Sequence, residues 1–466
     1  MKKVFISTAI PYVNAKPHLG FAFEIVLTDA LARFYRLDNN ETFFLTGTDE
    51  NSLKNVLAAE EVGMETSDFV DQNAAEFFKL KEVLNLSFDD FIRTTEQRHV
   101  DGARELWALC AKDIYKKKYK GLYCVGCEEF KTEKDLINGR CPEHPNNDLQ
   151  QVEEENYFFR LSNYQKKLKE LIESDKLKII PETRKNEVLS FINQGLEDFS
   201  ISRSRERARG WGVPVPTDES QIMYVWFDAL SNYINGYNWK NWQKADKLIH
   251  VIGKGVIRFH AIYWPAMLLS AGLRLPDEIF THGYITVENQ KISKSLGNVI
   301  HPKTVADVYG IEPLRYYLIR EISSFEDGDY SEDKFKNSYN ANLANGLGNL
   351  VSRVMKMAVD YKVEYKLEKV NLPKEYIEAF GNFNLKKAAD FVWGKIGELD
   401  KYIQETTPFK TIKTDETKAA SDVAHLVLGL WEISHLLKPI MPETAEKIIE
   451  LVENKKTPEK PLFLRK

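Results

Sequence analysis

The stretch Val4-Phe5-Ile6-Ser7-Thr8-Ala9-Ile10-Pro11-Tyr12-Val13-Asn14-Ala15-Lys16-Pro17-His18-Leu19-Gly20 decides how the chain begins and, with that, its fold. Residues 4 to 7 are β-prone, and the chain turns through Ile10 to Asn14. After Pro17 the period changes. Phe23, Val26, Leu27, Ala30, Leu31 and Phe34 recur at spacings of three and four, which predicts an amphipathic helix. A second apolar run, Phe43-Phe44-Leu45, leads into Thr46-Gly47-Thr48-Asp49-Glu50. Strand, turn, helix and strand open an α/β Rossmann-type domain, a parallel doubly wound sheet with its ligands outside the carboxyl ends of the strands. His18 falls in the first turn of the helix, where backbone N–H groups and the helix dipole favour anions. An imidazole there can donate to a phosphate oxygen. On its own, a histidine at a helix start is more often a cap or a surface residue.

Almost three hundred residues later the chain reads Lys291-Ile292-Ser293-Lys294-Ser295, then Leu296-Gly297-Asn298. Two lysines bracket a hydroxyl, and a glycine follows that lets backbone approach a ligand. This is a cationic hydrogen-bonding loop suited to oxyanions, although such a run in isolation is usually a solvated basic loop.

Composition bounds what surrounds these two stretches. At 466 residues the chain has room for two or three domains with sizeable cores, and a net charge of -5 argues against a general polyanion binder. The N-terminal apolar run is broken by Pro11 and Asn14 and lacks a cleavage-site pattern. The longest apolar stretch, near residues 261 to 271, is too short for a bilayer and contains Pro265. A cytoplasmic protein with no membrane association is expected. Of four cysteines, three crowd between positions 124 and 141. Cys124 and Cys127 form C-x2-C, and after thirteen intervening residues Cys141 and His144 form C-x2-H. Three thiolates and an imidazole are the tetrahedral set that zinc prefers, and Gly126 and Gly139 supply the tight turns. Four protein ligands close the site, so one structural zinc is expected rather than a catalytic one.

Residues 68 to 118 read as two helices flanking a short run at Asp90 to Thr95. From Asn340 on, β signals vanish. Ala388, Val392, Ile396, Leu399 and Ile403 mark one helix face, and residues 417 to 437 another. A helical bundle, slightly basic, closes the chain.

His18-Leu19-Gly20 with KISKS resembles the signature pair of the class I aminoacyl-tRNA synthetases, and the whole chain resembles the methionyl-tRNA synthetase family. The resemblance implies a division into 1–118 and 219–286 as two halves of a catalytic domain, 119–218 as a connective insertion bearing the zinc knuckle, 287–339 as the KISKS loop and stem-contact region, and 340–466 as an α-helical anticodon-binding domain. It implies methionine activation with ATP and magnesium, release of pyrophosphate, and transfer of methionyl to the 3′ end of tRNA(Met). It implies ATP contacts from Pro17, His18, Gly20, His282, Gly283, Lys291, Ser293 and Lys294, with His18, Lys291 and Lys294 catalytic. Methionine would be held by Ile10, Tyr12, Asp49, Trp226, Tyr233, Phe259 and His260, with Asp49 on the α-ammonium and the rings around the thioether. Asn349, Arg353 and Phe409 would read anticodon bases. A monomer is expected.

Three departures mark the active site. The family's second imidazole is replaced by Phe21, its His-Gly after Thr-Asp-Glu by Asn51-Ser52, and its Gly-Lys-Asp by Gly253-Lys254-Gly255. They keep in view a catalytically weakened tRNA-binding relative; a class I synthetase for another amino acid is the other alternative, and the closed four-ligand metal set argues against the cysteine enzymes, whose zinc needs an open position. As bare sequence, Trp226 and Tyr233 read more readily as core than as site, and Asp49 also as the N-cap of a helix starting near Asn51.

Overall fold

The computed structural model describes residues 1–126, 129–131, 133–142, 144–292 and 297–466. They form two compact units, one of residues 1–17, 42–80 and 88–281, the other of residues 18–41, 81–87 and 282–466.

The first unit is built on a six-stranded sheet. Its strands are β1 (Lys3–Thr8), β2 (Glu41–Thr48), β3 (Asp90–Arg93), β4 (Lys178–Ile180), β5 (Lys247–Gly253) and β6 (Glu278–His282), in the order β3-β2-β1-β5-β6-β4. β1 runs parallel to β5, with Val4 opposite Lys247 and Thr8 opposite Val251. β2 with β3 and β6 with β4 are also parallel. The inner strands are buried along nearly their whole length, as unbroken apolar runs require in a sheet covered on both faces. Gly47 is needed for β2 and β3 to meet: a Cβ there would lie 1.9 Å from the carbonyl oxygen of Ile92. The stretch expected as a connective insertion does more than carry a metal knuckle, because it lends β4 to the edge of this sheet. Three residues, Lys-Ile-Ile, are too few to announce a strand in the sequence.

A second, antiparallel sheet holds 129–131, 114–124, 150–159 and 199–200 in that order. Lys118 faces Glu155 and Lys120 faces Glu153 across its central pair, so the lysine-rich strand is matched by an acidic one. Its first strand starts at Ile114. The helix expected to run to residue 118 instead ends at Leu109, since the tyrosines and isoleucine that follow favour a pleated surface.

In the second unit, α1 (Leu19–Leu37) carries a buried ion pair rather than a purely apolar face. Asp29 accepts from Arg33 at 2.7 Å, from the backbone N–H and hydroxyl of Ser87 at 2.6 Å each, and pairs with Arg315 at 2.8 Å. Although burial opposes its charge, Arg315, Arg33 and Ser87 hold its carboxyl below the usual range. The guanidinium of Arg315, fully buried, also donates to the carbonyls of Leu84, Pro439 and Ile440.

After α2 (Pro302–Tyr309) and the short strand Gly328–Tyr330, the unit becomes helical, with α3 (Asn349–Asp360), α4 (Leu385–Thr406), α5 (Glu416–Leu437) and α6 (Pro442–Glu453). Ala388, Val392, Ile396, Leu399 and Ile403 are buried on α4, as their spacing predicts. Asn384 caps its start through the backbone N–H of Lys387, and Thr407 in the left-handed region followed by Pro408 ends it. No helix among the described residues is long and apolar enough to cross a membrane.

Candidate active site

In the first unit an aromatic box is built from three places in the chain. The helix Val225–Leu230 supplies Trp226, whose indole stacks on Phe259 with centroids 3.7 Å apart and planes 4° from parallel. Phe259 and His260 open a π-helical turn, Phe259–Tyr263, before the regular helix Trp264–Ala271. The wider turn rotates both rings to one side, a use of π-helix common at functional positions. Tyr12, from the turn after β1, meets Trp226 edge-on at 6.5 Å. Tyr12 bridges to Asp49, whose backbone N–H donates to the Pro11 carbonyl at 2.8 Å. Ile10 lies half-buried in the same turn, and Asp49 is buried.

The protonation of this box follows from its hydrogen bonds. His260 Nδ1 lies 2.9 Å from the carbonyl of Val256, so it carries the proton and donates. Its Nε2 is then an acceptor for the Tyr233 hydroxyl at 2.6 Å. Burial pushes the imidazole down to about 4, and it is neutral near pH 7. Behind it, Trp264 Nε1 donates to His250 Nε2 at 3.3 Å, leaving Nδ1 to donate to Ser7 Oγ at 2.8 Å. Burial and the neighbouring His260 hold His250 well below its ordinary value. His260 thus fixes the Tyr233 hydroxyl, while the Tyr233 ring packs on His250 with centroids 4.0 Å apart, and the two neutral histidines present no charge to a thioether. The indole N–H of Trp226 is buried with no hydrogen-bond partner among the described residues.

The strand end beside Asp49 also holds Glu50 and Asp228, to which the sequence alone gives no role, and Asn51, one of the three departures. The carboxylate of Glu50 is gripped by both ends of the Arg93 guanidinium at 2.7 and 2.9 Å and by the Thr48 hydroxyl at 2.7 Å. Asn51 donates to Asp228 Oδ2 at 2.7 Å and to the Thr94 carbonyl at 3.1 Å. Asp228 Oδ1 accepts from His99 Nε2 at 2.6 Å. Thus Asp228, two residues after Trp226 and almost fully buried, ties the tryptophan's helix to the loop after Asp49. Helix capping here differs from the sequence reading. The helix begins at Leu53, and Ser52 is its N-cap, accepting from the backbone N–H of Lys54 at 3.0 Å. Asp49 is not spent on capping. Asn51-Ser52 is a polar strut and a cap, both unreadable without knowing what they face.

In the second unit His18 is the N-cap of α1, and its Nδ1 accepts from the backbone N–H of Gly20 at 3.0 Å. Glycine at 20 is required, since a Cβ would lie 2.8 Å from the imidazole Cε1. With Nδ1 accepting, the neutral ring carries its proton on Nε2. Burial, then His301, lowers the affinity of His18 for a second proton. The expectation of free backbone donors at this helix start is corrected. Leu19 N–H donates to the Ile300 carbonyl at 3.0 Å, Gly20 N–H to His18 Nδ1, and those of Phe21 and Ala22 to the His18 carbonyl at 3.1 Å. An anion at this end would therefore have to be held by side chains.

Pro17, in the first unit, is buried. His282, at the end of β6, sits 2.9 Å from Glu24 of α1, with its other nitrogen 2.7 Å from the Gly283 carbonyl. Phe23 packs edge-on against it at 5.2 Å. Glu24 is a residue the sequence reading missed, one turn beyond Gly20 on the helix. Gly283 has a packing reason to be glycine, because a Cβ would strike the backbone of Glu326 and Asp327 within 2.5 Å. Lys291 is exposed, with its ammonium 5.9 Å from the centre of the Tyr284 ring. Ser293 and Lys294 lie outside the described residues.

In the knuckle, the ligand atoms of Cys124, Cys141 and His144 lie within 4.8 Å of one another. A Cβ on Gly126 would fall 2.4 Å from the His144 ring, so glycine there gives that ring its place, and Gly139 takes a positive φ of 73°. Cys127 lies outside the described residues. In the bundle, Asn349 and Arg353 stand one turn apart on α3, Arg353 paired with Asp400 at 3.0 Å. Phe409 is 46% exposed, which is unusual for phenylalanine in this chain.

A parallel Rossmann-type sheet, an aromatic box on the first unit and a His-Leu-Gly start to α1 are together the framework of a class I aminoacyl-tRNA synthetase. Comparison with known proteins agrees. The family described as "tRNA synthetases class I (M)" matches residues 4–154 and 144–355, and "Anticodon binding domain of methionyl tRNA ligase" matches residues 362–461. The methionine–tRNA ligase of Rhizobium meliloti is 40% identical over 96% of this chain and 91% of its own length. That of Nostoc sp. is 39% identical over 96% of this chain and 89% of its own. The structure of Mycobacterium tuberculosis methionyl-tRNA synthetase in complex with methionyl-adenylate superposes with a TM-score of 0.89 at 37% identity, over 97% of this chain and 94% of that one. The chain belongs to the methionyl-tRNA synthetase family. Its reaction is methionine activation by ATP and the charging of tRNA.

Proposed function

We propose that the aromatic box of the first unit is the methionine site and that the start of α1 with the KISKS loop is the phosphate site. The observation that carries this reading is the Trp226–Phe259 stack, closed by Tyr12 and by a His260 held neutral. A thioether is apolar and polarizable, so ring faces with no charge suit it, each sulfur–aromatic contact contributing roughly 0.3–1.5 kcal/mol. Asp49 takes the α-ammonium, which leaves the methionine carboxylate as the nucleophile.

One carboxylate oxygen attacks the α-phosphorus of ATP, the bond to the bridging oxygen breaks, and pyrophosphate leaves. No protein atom becomes covalently bonded, so catalysis consists of positioning and charge stabilisation. His18 donates from Nε2 to an oxygen of the α-phosphate region. Lys291 and Lys294, with Ser293, follow the departing pyrophosphate, and magnesium accompanies ATP. Pro17 and Gly20 shape the approach to the phosphates, while His282 and Gly283 line the adenosine side, His282 oriented by Glu24. The terminal ribose hydroxyl of tRNA then attacks the acyl carbon and AMP leaves. Asn349 and Arg353 present an amide and a guanidinium to unstacked anticodon bases, and exposed Phe409 offers a stacking face.

Cys124, Cys141 and His144, with Cys127 as the fourth ligand, would hold one structural zinc, which supplies folding energy and no chemistry to the reaction. The protein is placed in the cytoplasm, where reduced thiolates keep such a site available.

Amino-acid-dependent ATP–pyrophosphate exchange without tRNA tests the reading. Exchange with methionine alone among the twenty amino acids is expected. Silence with all of them from a folded, zinc-loaded sample would remove the catalytic assignment and favour a tRNA-binding relative that has lost activation.

A further inference from the structure

The start of α1 presents a puzzle that the motif residues do not resolve. Its first-turn backbone donors are consumed internally, and the position three residues after His18, which shares its helix face, is Phe21. A highly charged triphosphate would then meet a single imidazole at this end. The hydrogen bond from Leu19 N–H to the Ile300 carbonyl, at 3.0 Å, brings a second segment alongside. The next residue on that segment is His301. It is exposed, it precedes α2, and its side chain does not cap that helix. Two helix N-termini, those of α1 and α2, are thus joined side by side, and each begins with a histidine. Both dipoles add positive potential at the same place.

We propose that His301 is a second phosphate-facing imidazole, acting beside His18 on the ATP phosphates and supplying, from the segment that follows the KISKS motif in the sequence, the donor that Phe21 does not. The electrostatic influence of His301 on His18 fits this neighbourhood. The ligand is a nucleoside triphosphate, or the pyrophosphate that leaves it, and the role is hydrogen bonding to phosphate oxygen with no proton lost or gained. The proposal rests on the reading of the α1 start as the phosphate site.

The full-length protein is tested by ATP–pyrophosphate exchange, with kcat and the KM values for ATP and methionine measured separately. His301→Asn is expected to lower kcat/KM for ATP about tenfold with the methionine KM unchanged. His301→Asp separates binding from structure. Aspartate is a better N-cap than histidine, so a residue needed only to start α2 would tolerate it with unchanged exchange and an equal or higher Tm. A phosphate-facing residue would instead lose more activity than in the asparagine variant, through repulsion, at an undiminished Tm. Phe21→His in the His301→Asn background should restore most of the loss, because it returns an imidazole to the face of α1 that carries His18. Unchanged ATP kinetics in both His301 variants, with His18→Asn strongly impaired, would overturn the proposal and leave the phosphate site standing. Unchanged kinetics in His18→Asn as well would overturn that site itself.

Discussion

The aromatic box of the first unit, proposed to hold methionine, and the start of α1 in the second, proposed to hold phosphate, are built in opposite ways. The box is buried and made of rings, and its two histidines are kept neutral by burial and fixed in one tautomer by a chain of donors. Around the proposed thioether it offers shape and uncharged rings, with Asp49 the one carboxylate assigned to the ammonium. The phosphate end is polar and partly open, with its backbone donors already used, and it relies on side chains brought in from separate segments. An apolar substrate can be bound by groups that never change state. A leaving pyrophosphate needs groups that can follow it. The difference predicts that damage to the box raises the methionine KM, while damage to the α1 end lowers the rate and touches ATP.

The largest break in the box is Asp49→Ala. Losing a buried carboxylate that faces an ammonium costs about 3–4 kcal/mol of binding, so the methionine KM in exchange should rise on the order of several hundredfold with the ATP KM within twofold. A matching rise in the ATP KM would mean that the two regions are not separable in function.

The next effect is on stability. His260 has its folded value lowered to about 4 from an ordinary value near 6.5. Between those limits the unfolded chain binds the proton more readily, so stability is full above about pH 6.5 and falls as pH drops towards 4. For His260 alone the loss is on the order of 3 kcal/mol across that window, and His250 shifts in the same direction. Urea midpoints measured from pH 7 to 4.5 should fall steeply. In His260→Gln, whose amide can still pair with Val256 and Tyr233, the slope should be visibly shallower. An identical slope would show that the acid sensitivity arises elsewhere.

Trp226→Ala follows. Removing the stacked indole takes away the ring face and opens space beside Phe259, worth about 2 kcal/mol, or a roughly thirtyfold rise in methionine KM. Trp226→Phe keeps a face and should recover most of it. If alanine and phenylalanine behave alike, the stack serves the core and not the ligand.

How much of this was legible before the structure depends on what each residue has to face. The opening strand, turn and helix could be read from period alone, since Val4 to Thr8 and the stripe on α1 are one-dimensional patterns. The ring residues Trp226, Phe259 and His260, singled out from the family's motifs, do come together in the fold. What one sequence could not show is the partner of a polar residue. Asn51 looked like a missing histidine until Asp228, 177 positions away, lay 2.7 Å from it. Glu24 was hidden in an apolar helix stripe, and His301 in an ordinary loop. β4 was invisible because three residues carry no period. The expectation of free N–H groups at α1 failed for a related reason: whether a helix end is open depends on what packs over it, here the Ile300 carbonyl.

Asp228→Asn is the finest test of the comparison, because it changes one oxygen to nitrogen without touching a ring. Asn235 donates towards His99 Nδ1, at 3.5 Å, so His99 Nε2 carries the proton and donates to Asp228 Oδ1. The other oxygen, Oδ2, accepts from the Asn51 amide, whose same nitrogen also serves the Thr94 carbonyl. An asparagine at 228 can keep one of these bonds but not both. Satisfying His99 turns its own NH2 towards the Asn51 NH2, and flipping Asn51 to relieve that clash sets its oxygen against the carbonyl of Thr94. One buried hydrogen bond is lost, about 1–1.5 kcal/mol, and the strut between the Trp226 helix and the Asp49 loop loosens. A rise of about tenfold in methionine KM is expected, with kcat and the ATP KM nearly unchanged. Because the strut joins two walls of the box, a change confined to ATP would show that Asp228 acts on the phosphates and would dissolve the distinction between the two regions.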